Sequence, residues 1–155
     1  MYDRAVIEPG TPLPPFSLSD HDGNVVSTDV LLGSWYLLYW YPKADTPGCT
    51  AQAIGLRDQQ DAFDHHGCAV LGASFDQPAD NAAFRERYSL TFPLLSDLDH
   101  TAAMAQGAAD ADTSHPRRIA HLVDPSGKVA RSYDVEDPEF FAELVLDDLE
   151  QLIDG

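Results

Sequence analysis

Lysine is almost missing from this chain: Lys43 and Lys128 are the only two in 155 residues. Lysine and arginine together number nine against 26 aspartates and glutamates, a formal net charge of −17. So acidic a surface repels phosphate backbones and anionic headgroups, which argues against nucleic-acid binding and membrane association. The acidity itself has two readings, adaptation to a salty cytoplasm where counterions screen the repulsion, or a base-composition bias toward aspartate. Long apolar runs are missing too. Trp35 to Tyr41 is strand-length, well short of the ~20 residues a membrane span needs. Met1-Tyr2-Asp3-Arg4 lacks a basic region followed by an apolar stretch, so no signal peptide is expected and the cytoplasm is the expected compartment. Cysteine is scarce, and in a reducing compartment Cys49 and Cys68 point to thiol chemistry rather than a structural disulfide. With no repeat, low-complexity tract or long linker, residues 1–155 are expected to form one domain with a real core.

What is present reads as alternating strands and helices. Pro12-Leu13-Pro14-Pro15 is an extended lead-in, because consecutive prolines fix φ and block a helix. Phe16 to Leu18 and Val25 to Ser27 flank the turn-rich His21-Asp22-Gly23-Asn24, which predicts an N-terminal hairpin. Ser34 to Tyr41, Ala69 to Phe75 and Ile119 to Val123 predict buried strands, and Phe92 to Leu95 a short one. Pro125-Ser126-Gly127 is a tight turn that returns Lys128 to Tyr133 as a hairpin partner. Helices are expected over Cys49 to His65, Pro78 to Tyr88 and, more weakly, Asp97 to Gly107. A closing helix begins at Asp137, with Phe140, Phe141, Leu144, Val145, Leu149 and Leu152 forming one broad apolar face. This order argues a three-layer α/β domain.

The chemistry concentrates in Tyr41-Pro42-Lys43-Ala44-Asp45-Thr46-Pro47-Gly48-Cys49-Thr50. This stretch leaves an apolar strand and opens a helix, so the Pro-x-x-x-Thr-x-x-Cys spacing sets a thiol in a helix's first turn. Unpaired N–H groups and the positive end of the helix dipole there stabilise a thiolate, the reactive form of cysteine. Plainer readings exist. A lone cysteine is often a small buried hydrophobe, Thr46-Pro47 is a sound helix cap, and Arg117 and Arg118 are otherwise surface charges.

The segment resembles the active site of the peroxiredoxins, and Lys-Ala-Asp-Thr-Pro-Gly-Cys-Thr is similar to the PrxQ, or bacterioferritin comigratory protein, branch. The resemblance extends to the Val-Leu-Gly-Ala-Ser strand and the Arg-x-x-x-Leu-Val-Asp-Pro-x-Gly-Lys hairpin. It implies a thioredoxin-like fold with a central mixed sheet. It also implies a thiol-dependent peroxidase acting on hydrogen peroxide and small organic hydroperoxides, without metal, haem or flavin. By the same resemblance Cys49 is the peroxidatic cysteine, Thr46 orients the peroxide and bonds the thiolate, and Pro42 shields the sulfur from water. Arg118 supplies the fixed charge, with Arg117 as the competing assignment, and the N–H groups of Gly48 and Cys49 complete the pocket.

The departures from that family matter as much. The position five residues after Cys49, often a resolving cysteine, is Ile54, and the next helix offers Asn81 and Phe84 but no thiol. Cys68 would be separated from Cys49 by a helix, with roughly 25 Å to close at ~1.5 Å per residue. A one-Cys enzyme is therefore expected, its sulfenic acid reduced by an external thiol such as thioredoxin or a small thiol, working as monomer or homodimer. A peroxide sensor that passes oxidation to a partner thiol is the alternative. A disulfide oxidoreductase fits poorly without Cys-x-x-Cys. His121, where relatives carry a large apolar residue, is either a hydrogen-bonded core histidine or a side chain aimed at the pocket. His65-His66 is not expected to bind metal, since adjacent helical residues diverge.

Overall fold

Tyr36, Leu37, Leu38, Tyr39, Trp40 and Tyr41 are all buried, so both faces of the strand they form must be covered. A computed structural model shows how, describing residues 7–154; Met1 to Arg4, read above for a leader, lie outside that range. The chain runs β1 (Ser17–Asp20), β2 (Val25–Ser27), α1 (Thr28–Leu31), β3 (Trp35–Trp40), α2 (Pro47–Asp58) and α3 (Gln60–His65). It continues through β4 (Cys68–Ser74), α4 (Pro78–Arg87), β5 (Leu94–Ser96), α5 (Thr101–Ala105), β6 (Ile119–Val123), β7 (Val129–Asp134) and α6 (Phe141–Asp154). The strands form one sheet in the order β2-β1-β5-β4-β3-β6-β7. Strands β3, β4 and β5 are parallel, and the remaining pairs antiparallel. The mixed sheet and the β1–β2 hairpin agree with the expected three-layer α/β architecture.

Alternation sorts the central strand. Leu37, Tyr39 and Tyr41 pack with Ala53, Leu56, Phe63 and Phe84 from α2, α3 and α4. Tyr36, Leu38 and Trp40 pack on the opposite side with Phe16, Ala102 and Val129. Each large side chain buried this way contributes roughly 1.5–3 kcal/mol, which is what anchors the loop at the end of β3.

Three expectations need correction. The helix over Cys49 to His65 is two helices. Gln59 sits at φ −102, ψ 13, outside helical geometry, and the chain restarts at Gln60, a bend that leaves Phe63 fully buried. The straight-helix length from Cys49 to Cys68 therefore does not hold as calculated. The helix expected from Asp97 shrinks to Thr101–Ala105, because His100 is left-handed at φ 65 and the Asp97 carboxylate instead accepts the N–H groups of Ala102 and Ala103 at 3.3 and 2.7 Å. The last helix opens as a 3-10 turn over Pro138–Phe140. In that helix Phe140 and Leu144 face outward beside an open groove of about 400 Å³, while Ala142 and Leu146 take inward places. α1 was not anticipated from sequence.

Candidate active site

The carboxyl ends of β3, β4 and β5 and the amino end of β6 meet at one edge of the sheet, and the Pro42–Cys49 segment crosses that edge. Two polar anchors fix it there. The Ala44 N–H donates to Asp76 Oδ2 at 2.8 Å, an oxygen that also accepts the Ser74 hydroxyl at 2.8 Å. The Tyr41 hydroxyl, buried among aromatic rings, donates to Asn81 Oδ1 at 2.6 Å. Burial pushes the Tyr41 and Tyr39 phenols upward, so both stay protonated and add no charge near the thiol.

Thr46 is the N-cap residue of α2, extended at φ −97, ψ 157, and Pro47 takes the first helical position, where its missing N–H costs nothing. The Thr50 N–H donates to the Thr46 carbonyl at 2.8 Å. The N–H groups of Gly48 and Cys49 thus belong to the first-turn donors that lack an intrahelical acceptor. Cys49 is 1% exposed. Its sulfur lies 3.6 Å from Nη1 of Arg118, and the same nitrogen donates to Gln52 Oε1 at 2.9 Å. Gln52 follows Cys49 by three residues, so it occupies the same helix face and holds the guanidinium over the sulfur.

A tight turn just before β6 separates the two arginines: Arg118 sits at a bend, and the Ile119 N–H donates back to the Arg117 carbonyl at 3.0 Å. Arg117 points away from the cysteine. Its Nη1 donates to the Gly107 carbonyl at 2.9 Å and its N–H to the Ala108 carbonyl at 2.7 Å. Thr46 departs from expectation, because its hydroxyl donates to the Lys43 carbonyl at 2.7 Å rather than to the sulfur. Pro42 is half-buried at the bend two residues past the end of β3, where it offers no N–H donor.

The chain's relatives show its family. The AhpC/TSA family matches residues 9–141. Peroxiredoxin Bcp of Escherichia coli is 40% identical over 136 residues, covering 83% of this chain and 86% of the relative. A putative peroxiredoxin of Mycobacterium tuberculosis is 39% identical over 145 residues, covering 89% and 92%. This chain belongs to the AhpC/TSA family, in the Bcp/PrxQ branch of the peroxiredoxins. Among solved structures, peroxidoxin BcpB of M. tuberculosis superposes with a TM-score of 0.88 at 29% identity, covering 94% of this chain and 98% of the other. The bacterioferritin comigratory protein of Xanthomonas campestris, described for alkyl peroxide reduction, gives 0.86 at 25% identity, covering 94% and 99%. The fold is thioredoxin-like and the enzyme is a thiol-dependent peroxidase.

Two features of this peroxiredoxin's site went unread in the sequence. Gln52 was signalled only by its helical spacing from Cys49. Asp76 had no local signal at all, because its partner Ala44 is 32 residues away. Cys68 opens β4, six residues before Ser74, so at ~3.3 Å per residue it lies about 20 Å down the strand from the edge that carries the site. Burial pushes its thiol up to about 12, and among the described residues its sulfur donates only to the Ala69 carbonyl, at 3.5 Å. His121 shares a face with Ile119 and Val123, in the layer opposite Cys49. That removes the pocket reading. Nε2 accepts the Ile7 N–H at a long 3.5 Å, and Nδ1 has no partner among the described residues.

Proposed function

We propose that this peroxiredoxin is a one-Cys enzyme, in which Cys49 reduces hydrogen peroxide and small organic hydroperoxides and an external thiol regenerates it. The Cys49 thiolate attacks the terminal peroxide oxygen, a sulfur–oxygen bond forms as the O–O bond breaks, and the departing oxide takes a proton to leave as water or alcohol. Sulfur is oxidised by two electrons to the sulfenic acid. One external thiol then displaces water from it to give a mixed disulfide, and a second releases the Cys49 thiol.

The 3.6 Å approach of Arg118 to the Cys49 sulfur carries this reading. A fixed guanidinium there faces negative charge both before and during the reaction, as charge passes from sulfur to the leaving oxygen. The first-turn N–H groups of Gly48 and Cys49 add donors along the same path. Thr46 joins them by rotating its hydroxyl from the Lys43 carbonyl toward the peroxide, a single χ1 change. Pro42, having no N–H, keeps that side of the pocket from recruiting water. Small peroxides fit a sulfur that is 1% exposed; the alkyl peroxide reduction described for the Xanthomonas relative extends the same chemistry to organic substrates.

Intact mass after one equivalent of peroxide, with and without a sulfenic-acid trap, tests the scheme. A single trapped oxygen on Cys49 supports it. An intrachain disulfide would make the enzyme two-Cys, and normal peroxide turnover by Cys49→Ser would remove the cysteine from the chemistry. Turnover with excess thioredoxin or small thiol separates a peroxidase from a sensor, which would stall as a stable mixed disulfide.

A further inference from the structure

Asp45 adopts a left-handed backbone at φ 62, a conformation few side-chain-bearing residues tolerate and aspartate tolerates better than most. Its carboxylate is gripped twice by the end of α4. Oδ2 accepts Nη1 of Arg87 at 2.7 Å and Oδ1 accepts the Tyr88 hydroxyl at 2.7 Å. The Tyr88 hydroxyl also interacts with the side chain of Thr50, the residue after Cys49. The Tyr88 carbonyl accepts Nη1 of Arg57 from the far end of α2 at 2.6 Å. Tyr88 is itself braced, edge-on against Phe84 at 5.6 Å between centroids and with the Arg87 guanidinium 5.2 Å from its ring centre. One pair of residues on a neighbouring helix thus touches the loop before the cysteine, the residue after it and the end of its helix.

We propose that Arg87 and Tyr88 are positioning residues for the peroxidatic cysteine: they lock Asp45 in its left-handed turn and so set where Cys49 stands against Arg118. This rests on the reading of Cys49 as the nucleophile. Magnitudes separate the role from plain stabilisation. The Arg87 and Asp45 side chains are 65% and 37% exposed, and an ion pair so exposed contributes little to stability. A reacting group displaced by ~1 Å, in contrast, loses up to ~10²-fold in rate. The clamp therefore matters for geometry far more than for melting.

The test uses Tyr88→Phe, which keeps the ring and removes only the hydroxyl, beside Asp45→Gly, which removes the carboxylate and relieves the backbone, and the pair Arg87→Ala and Arg87→Lys. Two rates are read on each full-length variant: peroxide consumption, and alkylation of Cys49 by iodoacetamide across pH, followed by peptide mass. Tyr88→Phe and Asp45→Gly are expected to slow peroxide consumption about tenfold while alkylation speeds up severalfold, because a loosened loop misaligns the sulfur yet uncovers it. Arg87→Lys should restore most of what Arg87→Ala loses. Both rates unchanged in Tyr88→Phe and Asp45→Gly would overturn the proposal. A joint fall in both rates that follows a lowered melting temperature would overturn it too, making the pair ordinary scaffolding. Alkylation needs no peroxide, so failure of the clamp and failure of the peroxidase scheme give different results.

Discussion

Arg118 lies so close over Gly48 that a Cβ on that glycine would stand 2.8 Å from Nη2 of the guanidinium. The absence of a side chain at Gly48 is what lets the cation reach the sulfur one residue on. Arg118 is the far end of a flexible side chain, so Gly48→Ala should fold, and alanine inside a helix gains up to about 1 kcal/mol over glycine. We expect an unchanged or raised melting temperature together with a peroxide rate reduced about tenfold as the guanidinium moves off Cys49. Stopped-flow kinetics beside thermal melts check the split; full activity would mean that the close approach is incidental.

Arg118→Ala should cost on the order of 10²-fold in peroxide rate, the scale of losing a preorganised donor to developing charge, read by stopped-flow kinetics. Arg117→Ala should leave the rate within a few-fold. Its loss falls on stability instead, about 1–2 kcal/mol for the charged hydrogen bond to the Gly107 carbonyl. A larger kinetic loss at Arg117 would reverse the assignment.

Cys68→Ser should keep most activity with a small external thiol. The Cys68 thiol, pushed up to about 12 by burial, is not a thiolate near neutral pH and cannot attack a sulfenic acid efficiently. Oxidised wild-type protein should show free Cys68 and an oxidised Cys49, passing to sulfinic acid under excess peroxide. Peptide mapping decides this, and a dominant Cys49–Cys68 bridge would count against the one-Cys scheme.

His121→Phe should make the protein more acid-resistant. Burial pulls the His121 imidazole from 6.5 down to about 4, so the unfolded chain binds a proton that the folded chain refuses between those values. Stability from the neutral histidine is complete above pH 6.5 and is lost as pH falls toward 4, of order 3 kcal/mol in all. Denaturant midpoints of wild type and variant should diverge across that window. Parallel curves would show that His121 does not set the acid sensitivity.

Much of this protein was legible locally. The thiol at a helix start follows from Thr46, Pro47 and Cys49, and the buried central strand from an unbroken run of aromatic and aliphatic residues, because both depend on neighbours in sequence. The bend at Gln59 was not legible, since the segment carries no proline and its one interior glycine, Gly55, lies within the continuous part of α2. Nor was the outward turn of Phe140 and Leu144, because helical periodicity fixes which residues share a face but not which face meets the core. Sequence named two adjacent arginines; only the turn that leads into β6 sent Arg118 to the sulfur and Arg117 to the Gly107 carbonyl. The partners Asp76 to Ala44 and Arg87 to Asp45 lie 32 and 42 residues apart. Contacts of that span exist only once the parallel strands bring one edge of the sheet together, so local pattern determined that the Cys49 thiol stands in a helix's first turn and tertiary packing decided what surrounds it.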